Sequence, residues 1–426
     1  MMETLAQKDK RLKILFIPAW YPSEVNPIEG VFVKEHARAA SIYNEIVVIY
    51  AYPDPLPRPG RLYQISDGIE DGIRTIRIKY QDYDRIFACV KKLIFKRRKP
   101  NEAPTPSATN KLITILKKPL RILKDLLYYW STFAAFRRLV NEGWKPDIIH
   151  AHIFTAGVPA IILGKLYKIR VIITEQYSIF PLRKLAFYER VKARFAMNKA
   201  QMILPVSTAL KEAIEAYAIK NEFQVVPNIV DTEIFYSPFG KKQREDRKRI
   251  LMVAILSPVK GVPYLLRALA QVKEKRSDFI LDILGDGANR HEYEKLAGEL
   301  ELENMVNFHG LKTKKEVAEF MRNCDFFILP SLYETFGTVI VEALASGKPV
   351  VASDIGGIKE IINENLGILV PVGDIKKLQQ AIEFMLDNYV RYSPQELSAY
   401  ARGKFNHESV GRLLNNTYAK VKEKRR

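Results

Sequence analysis

Residues Leu329 to Gly357 read LPSLYETFGTVIVEALASGKPVVASDIGG and decide the fold class. An apolar run that ends at Leu329 predicts a buried strand, the polar stretch around Glu334 predicts a loop, and a helical pattern begins near Thr338. In open α/β sheets, ligands bind just outside the carboxyl ends of the strands. A helix that begins there directs free N–H groups and a partial positive charge at the pocket, which suits a phosphate. The stretch therefore predicts an α/β domain with an anion-binding strand end.

The same alternation of short apolar runs and helical patterns extends in both directions from this stretch. Further buried strands are predicted at Ile14–Ile17, Glu45–Tyr50, Asp147–His150, Val171–Thr174, Met202–Pro205, Ile250–Val253, Phe279–Ile283, Val306–Phe308 and Leu366–Val370. This alternation is typical of parallel sheets with helices on both faces. A chain of 426 residues has room for two or three such domains.

A break in the pattern lies at Tyr236 to Arg249, which reads YSPFGKKQREDRKR. Its charged residues outnumber its apolar ones, which is typical of a linker between domains. We therefore predict one α/β domain at residues 1–236, a second at 249–395, and a final helical segment at 396–426.

The net charge of +19 indicates an anionic partner. Arg85 to Val140 carries 14 basic and 2 acidic residues, and so contributes +12 of that charge. Within this basic segment, Lys99–Asn110 predicts a flexible loop, and apolar residues from Leu112 to Phe133 fall at helical spacing opposite a basic cluster. Three interpretations stay open: a helix on an anionic membrane surface, an ordinary solvated helix face, and a nucleic-acid site. The last is disfavoured because no recognised nucleic-acid fold accompanies the charge.

Targeting and redox signals are few. No run reaches the ~18 uncharged apolar residues that span a bilayer, and the first apolar run, Leu12–Trp20, is too short and too interrupted for a signal peptide. Two cysteines, Cys89 and Cys324, exclude a disulfide scaffold and a four-thiolate zinc site. A reducing compartment is the simpler expectation. We therefore expect a cytoplasmic protein that is soluble or lies on a membrane surface.

Glu334 and Glu342 are the candidate chemical groups of the opening stretch. Gly337 allows the backbone to approach a ligand closely, and Glu342 falls about one turn into the predicted helix. A carboxylate beside a phosphate site is unfavourable unless it binds hydroxyl groups, such as a ribose diol. On spacing alone, the other interpretation is that both glutamates are solvated surface carboxylates.

Together with the sequence that follows, from Ala345 to Val351 (ASGKPVV), the two glutamates separated by seven residues resemble the C-terminal domain of the retaining glycosyltransferases of family 4, the group 1 enzymes. The resemblance covers nearly the whole chain apart from the basic segment, and it disfavours the surface interpretation. It implies the GT-B fold, in which two Rossmann-like domains with parallel sheets face each other across a cleft. A C-terminal helix crosses back to the N-terminal domain in that fold.

The resemblance also implies roles for individual residues. Glu334 and the loop at Phe336, Gly337 and Thr338 would hold the donor sugar and its phosphates, with Glu334 as a catalytic residue. Glu342 would bind the ribose of the nucleotide. No metal or other cofactor is implied, because helix ends and basic side chains neutralise the diphosphate in this family.

Three further positions match the second domain of the family. The family pattern resembles G-R-L-x-x-x-K-G where this chain has Ala254 to Gly261 (AILSPVKG), so Lys260 is in place but Ile255 replaces an arginine. Unless another cation replaces it, that loss predicts weaker stabilisation of the leaving group. Gly285 matches a turn that approaches the nucleotide, although a plain turn is the alternative, and Leu311 lies in a turn whose backbone meets the base.

Two positions match the first domain. Gly30 corresponds to the glycine loop that faces the donor phosphates and the acceptor, and a simple helix-start glycine is the alternative. His152, in Asp147–His152 (DIIHAH), corresponds to a histidine placed against the donor sugar, and is the second predicted catalytic residue. The alternative is that His150 and His152 are both hydrogen-bonded residues at the end of the sheet.

The resemblance thus implies a retaining, metal-independent hexosyltransferase that moves a sugar from a nucleoside-diphosphate sugar to an acceptor hydroxyl. The expected acceptor is a lipid-linked or cell-surface glycan precursor, and the expected location is the cytoplasmic face of an anionic membrane. A nucleotide-sugar epimerase on the same fold and a catalytically weak or inactive partner protein are the alternatives, the second because of Ile255. The sequence indicates neither the donor sugar nor the oligomeric state.

Overall fold

The computed structural model describes residues 11–24, 26–54, 63–81, 106–237 and 247–424, with the backbone alone for 106–120. The chain forms two compact units. The first unit comprises Met1–Thr174, Phe187–Ile203 and Asn415–Arg426, and the second comprises Glu175–Ala186 and Leu204–Leu414.

A seven-stranded sheet forms the centre of the first unit. Its strands are β1 (Lys13–Pro18), β2 (Glu45–Asp54), β3 (Tyr63–Glu70), β4 (Ile73–Gln81), β5 (Ile148–His152), β6 (Arg170–Glu175) and β7 (Met202–Pro205). The strand order is β3-β4-β2-β1-β5-β6-β7. Strand β3 pairs antiparallel with β4, and the pairs from β4 to β6 are parallel. The accompanying helices are α1 (Val31–Ser41), α2 (Pro106–Asn141), α3 (Phe154–Tyr167) and α4 (Phe187–Lys199).

A six-stranded, all-parallel sheet forms the centre of the second unit. Its strands are β8 (Lys248–Val253), β9 (Phe279–Leu284), β10 (Val306–Gly310), β11 (Phe326–Leu329), β12 (Val350–Ser353) and β13 (Gly367–Val370), in the order β10-β9-β8-β11-β12-β13. The helices are α5 (Thr208–Glu215), α6 (Val262–Lys273), α7 (Arg290–Glu299), α8 (Lys314–Asn323), α9 (Thr338–Ala345), α10 (Ile358–Ile361), α11 (Ile375–Asn388) and α12 (Pro394–Phe405). A last helix, α13 (His407–Glu423), begins in the second unit and ends in the first.

The predicted pair of parallel α/β sheets is confirmed. Several strands are mostly apolar and are buried along their whole length, as in β5, β7, β11 and β12. This is the pattern of parallel strands with both faces covered. Helix starts follow local chemistry as well: Thr313 and Glu316 form a capping box at α8, and Asp374 accepts a hydrogen bond from the Lys377 N–H at α11.

The basic segment differs from its prediction at one end. The flexible loop expected at Lys99–Asn110 is wrong from Pro106 onward, because α2 begins there; the rest of that loop lies outside the described residues. A proline suits the first position of a helix, since its fixed φ is helical and no N–H is left unpaired. The predicted helix from Leu112 to Phe133 is confirmed, and α2 continues through Pro119.

The C-terminal helix returns to the first unit, as the resemblance implied. The Tyr418 hydroxyl lies 2.8 Å from His150 Nδ1, and Lys422 pairs with Asp147 at 3.3 Å. The predicted linker lies mostly outside the described residues, and the domain boundaries at 236 and 249 stay a prediction. Among the helices that the structure describes, none has both the length and the apolar character needed to cross a membrane.

Candidate functional site

The strand order of the second sheet places a topological switch point beside β8. The chain adds β9 and β10 on one side of β8, and β11, β12 and β13 on the other. The loops that follow β8 and β11 therefore leave the sheet in opposite directions, and the space between them is where open α/β sheets bind their ligands. Lys260 follows β8, and Glu334 follows β11.

Lys260 and Glu334 meet at this switch point. Lys260 Nζ donates a hydrogen bond to Glu334 Oε1 over 2.5 Å, and Ser331 Oγ donates to the same oxygen over 3.1 Å. Both charged side chains are largely buried, with exposed fractions of 24% for Lys260 and 12% for Glu334. A charge-assisted bond in such a setting is strong, because little water screens it.

The backbone holds the two loops together. The Leu332 N–H donates to the Val259 carbonyl over 2.7 Å. Gly261 has a φ of 72°, and a Cβ atom added to it would lie 1.9 Å from the carbonyl oxygen of Pro330. Since no side chain fits there, the glycine allows the β8 loop to lie against the β11 loop, and so positions Lys260.

Helix α9 begins next to this pair. Its N-cap, Gly337, has a φ of 85°, and no side chain among the described residues caps the helix start. The Ile340 N–H donates to the Gly337 carbonyl over 2.9 Å. The N–H groups of Thr338 and Val339, with the positive end of the helix dipole, are therefore the ones that can meet an anion. Thr338 accepts a hydrogen bond from Asn228 Nδ2 at 3.2 Å, Phe336 is buried, and Glu342 lies half-buried one turn further along.

Two residues outside the predicted site residues, Ser207 and Gly357, contact the loop that carries Glu334. Ser207 Oγ donates to the Thr335 carbonyl over 2.7 Å, and a Cβ on Gly357 would lie 2.4 Å from the same oxygen. Burial, reinforced by the charge of Glu334, raises the pKa of Tyr333, so its phenol stays protonated. Neither serine was predicted to support this loop. The place of Ser331 three residues before Glu334 was a usable signal; Pro205–Ser207 matches the family pattern, but nothing local connects Ser207 with Thr335, 128 positions away.

Gly285 and Leu311 follow the neighbouring strands β9 and β10. The Gly285 N–H donates to the Gly310 carbonyl over 2.8 Å, which joins the two turns, and Leu311 is 66% exposed. His309 contacts a side chain of the same unit: its Nε2 lies 2.7 Å from an Asp282 carboxylate oxygen. Ile255, at the position of the family's arginine, is 60% exposed. An apolar side chain is therefore exposed to solvent at the position where the family pattern has an arginine.

The first sheet has its own switch point, between β1 and β5. The Ala19 N–H donates to the His152 carbonyl over 3.1 Å, which places the loop after β1 beside the end of β5. Gly30 ends that loop with a φ of 70°, and a Cβ there would lie 2.3 Å from the backbone of Trp20. The glycine is therefore required by the loop's own close contact with Trp20, whatever it does for a ligand.

The two histidines of β5 have different surroundings. His150 lies 2.7 Å from Thr174 Oγ1 and 2.8 Å from the Tyr418 hydroxyl, so both of its ring nitrogens have partners. His152 is fully buried against Phe16 and His36, and neither of its ring nitrogens has a hydrogen-bond partner among the described residues. Burial, with a smaller contribution from neighbouring histidines, lowers both pKa values well below the ordinary range, so both rings are neutral at pH 7. The expected pair of hydrogen-bonded histidines is thus correct for His150 only.

Two protein families match the chain. The family "Glycosyl transferases group 1" matches residues 236–404, and "Glycosyltransferase Family 4" matches residues 92–234.

Individual relatives extend over much of the chain. An MMP alpha-(1->4)-mannosyltransferase of Mycolicibacterium hassiacum is 30% identical over 399 residues, which cover 87% of each chain. An uncharacterized glycosyltransferase of Methanocaldococcus jannaschii is 30% identical over 271 residues, 63% of this chain and 73% of the relative. Among solved structures, a sucrose-phosphate synthase from Thermosynechococcus elongatus superposes with a TM-score of 0.71 at 19% identity, over 96% of this chain and 99% of the other.

Proposed function

The chain belongs to the group 1 glycosyltransferases of family 4, and from that premise we propose that it transfers a sugar from a nucleoside-diphosphate sugar to an acceptor hydroxyl, with retention of the anomeric configuration. The observation that carries the proposal is the Lys260–Glu334 pair at the switch point of the second sheet. The pair consists of one cation and one carboxylate that already accepts a hydrogen bond from the Ser331 hydroxyl, and it lies at the kind of strand end where open α/β sheets bind nucleotides.

The donor's diphosphate has two sources of positive potential in this arrangement. Lys260 offers an ammonium group as a point charge, and the uncapped start of α9 at Gly337 and Thr338 offers backbone N–H groups. We assign contacts with the nucleotide to Gly285 and Leu311, and the ribose to Glu342. Because these groups supply the positive potential, the proposed reaction needs no metal ion.

The chemical step is departure of the nucleoside diphosphate, which leaves an oxocarbenium-like sugar. Glu334 Oε1 accepts hydrogen bonds from both Lys260 and Ser331, so a phosphate oxygen that takes over Lys260 frees that carboxylate oxygen to accept a sugar hydroxyl. We assign to His152 a contact with the donor sugar, because its neutral ring carries two nitrogens with unused hydrogen-bonding capacity. Gly30 belongs to the glycine loop that faces the phosphates. The acceptor hydroxyl attacks the face that the phosphate leaves, and the phosphate accepts its proton.

Release of nucleoside diphosphate tests this assignment. Purified protein is incubated with UDP-, GDP- and ADP-sugars, with and without a polyprenyl-diphosphate acceptor, in buffer and in excess EDTA. We expect release with one donor class, stimulation by acceptor, an α-linked product from an α-linked donor by NMR, and no effect of EDTA. Loss of turnover in EDTA that Mg²⁺ restores contradicts the metal-independent part, and an inverted product contradicts retention.

Ile255 favours one alternative, a protein that binds the nucleotide but turns over slowly. Calorimetric titration with UDP, GDP and ADP separates the two. Tight nucleotide binding without sugar transfer for any donor supports the binding protein, whereas transfer in the assay above excludes it.

The proposed acceptor is lipid-linked, so we propose contact with the cytoplasmic face of an anionic membrane through α2. Ile122, Leu126 and Trp130 follow one another at four-residue spacing and are exposed, Trp130 by 64%. Arg121 and Lys124 lie beside this stripe in the sequence, while the side chains of Lys117 and Lys118 lie outside those described. An apolar stripe flanked by cations is typical of helices that lie in a lipid interface.

The neighbouring helix α4 fixes the orientation of α2. The Tyr188 hydroxyl donates to Asp125 over 2.7 Å, and Lys192 Nζ donates to the same carboxylate over 2.9 Å. Phe187 and Val191 of α4 are exposed as well. The stripe is therefore held on a rigid two-helix support.

Vesicle flotation tests the membrane contact. Vesicles of phosphatidylcholine with and without phosphatidylglycerol are compared at low and high salt, using the wild type, Trp130→Gln, and Leu166→Gln as a control for exposed apolar residues elsewhere in the first unit. We expect salt-sensitive flotation with anionic vesicles that Trp130→Gln weakens and Leu166→Gln does not. Equal flotation of all three proteins, or none, removes the proposed surface.

A further inference from the structure

A cavity of about 480 Å³ opens on the second unit beside the loop that carries Lys260. Lys260 itself is not one of its lining residues. The cavity lies between α6 and α7. Residues of both helices line it, together with Pro258 and Leu332 from the loops that follow β8 and β11. The volume falls within the ~300–1,000 Å³ range of small-molecule sites, and none of the transfer roles proposed above uses this cavity.

The charges of the side chains that line the cavity sum to zero. Arg267 and Lys295 supply two positive charges, and Glu292 and Glu299 supply two negative charges. Such a wall has no net preference for an anion such as a phosphate or for a cation. It offers instead several donors and acceptors in different directions, which suits a neutral ligand with many hydroxyl groups.

The remaining walls are apolar and aromatic. The ring of Tyr264 lies beside Gly373, where an added Cβ atom would be 3.4 Å from the ring. Pro263 and Leu296 add apolar surface. The C–H faces of a pyranose ring pack against such surfaces while its hydroxyls reach polar groups, as amphipathic ligands do at aromatic walls. The buried ring of Tyr293 adds further aromatic surface to the wall.

We propose that this cavity is a saccharide-binding site for a neutral oligosaccharide, separate from the donor site. The site contacts both segments that position the Lys260–Glu334 pair. Pro258 shares one 3-10 turn with Lys260, and Leu332 is bonded through its N–H to the Val259 carbonyl over 2.7 Å. A bound saccharide that stabilises these two segments holds Lys260 where the proposed diphosphate site needs it, so it tightens nucleotide binding, and the nucleotide tightens saccharide binding by the same factor.

Saturation-transfer NMR with the full-length protein tests the site. The probes are maltotriose, mannotriose and cellotriose as neutral trisaccharides, with glucose 6-phosphate as a charged comparison. The variants are Arg267→Ala and Glu292→Gln in the wall, and Glu294→Gln on the same helix but outside the wall. All three side chains are polar surface groups, so the fold is expected to persist, and thermal melting checks it.

We expect at least one neutral trisaccharide to bind, with its affinity weakened about fivefold or more by each wall variant and unchanged by Glu294→Gln. We also expect that trisaccharide to lower the Kd for the nucleotide, and Arg267→Ala to abolish this effect. No binding of any neutral trisaccharide, binding only of glucose 6-phosphate, or equal binding by all variants overturns the proposal. Basal donor hydrolysis, measured without saccharide, reports separately on the proposed transfer and stays unchanged in the wall variants.

Discussion

Each of the two sheets has a topological switch point, but the side chains at the two switch points differ in charge and in hydrogen bonding. In the second unit, the switch point holds a glutamate that accepts hydrogen bonds from a lysine, Lys260, and from Ser331. In the first unit, it holds His152, which is buried more deeply and has no hydrogen-bond partner among the described residues. Both positions lie where the chain adds later strands on opposite sides of a central strand.

The difference follows from what each group loses on burial. A charged side chain cannot be buried without a partner, so Lys260 and Glu334 come as a pair. An imidazole can give up its charge, and burial lowers the pKa of His152, which favours the neutral ring. The second unit therefore carries a bonded pair of charges at its switch point, whereas the first carries a buried neutral ring there.

The largest expected effect comes from removing the cation of the charged switch point. Lys260→Met keeps the length of the side chain but leaves the diphosphate without its point charge, so we expect kcat to fall about 10²–10³-fold. Sugar-transfer kinetics measure this, with Lys359→Met as an exposed lysine control in the same unit. Wild-type kcat in Lys260→Met contradicts the role of the pair.

The next effect compares the two histidines directly. His150→Phe leaves the Thr174 and Tyr418 hydroxyls without their partner, and we expect it to lower the free energy of unfolding by about 1–3 kcal/mol more than His152→Phe does. Both variants enlarge the ring equally, so the difference reports hydrogen bonding. His152→Phe in turn is expected to lose sugar transfer.

Urea unfolding followed by tryptophan fluorescence measures this difference, because Trp20, Trp130 and Trp144, the three tryptophans of the chain, all belong to the first unit. Equal destabilisation by the two substitutions contradicts the contrast between the histidines.

The third effect is a pH dependence of the first unit. Both β5 histidines have pKa values lowered in the folded state, chiefly by burial, so the unfolded chain binds protons more readily. Stability is then full above about pH 6.5 and decreases as the pH falls, by up to about 1.4 kcal/mol per pH unit for each histidine.

The same tryptophan signal in urea at pH 7.5, 6.0 and 5.0 measures this slope. His152→Phe removes one titrating group and is expected to reduce the slope, while the exposed His291→Phe in the second unit leaves it unchanged. A slope that His152→Phe does not alter rules out the buried neutral ring.

The smallest expected effect is a gain. Ile255→Arg restores the cation of the family pattern at an exposed position, so it requires no repacking. One additional charge-assisted contact with the diphosphate is expected to tighten nucleotide binding about tenfold. Calorimetric titration measures it, with Val372→Arg as a control at another exposed apolar position of the second unit. Equal gains in both variants indicate general attraction by charge instead of a specific contact.

Much of this architecture was predictable from local pattern. The apolar runs at β5, β8 and β11 predicted their strands, because buried parallel strands are continuous in sequence. The start of α2 at Pro106 was not predicted, since proline and serine occur both in loops and in the first turn of a helix.

Sequence alone determined the two parallel α/β sheets, the family, and the identity of Lys260, Glu334 and His152 as candidate residues, because strand periodicity and motif spacing are properties of contiguous residues. The tertiary structure decided which of these groups have partners. Lys260 bonds to a carboxylate 74 positions away, and His150 bonds to a hydroxyl 268 positions away, whereas His152, two residues further on, has none among the residues described. Partners so distant are brought together only by the crossing of strands and helices, and they fix the charge and hydrogen bonding of each group.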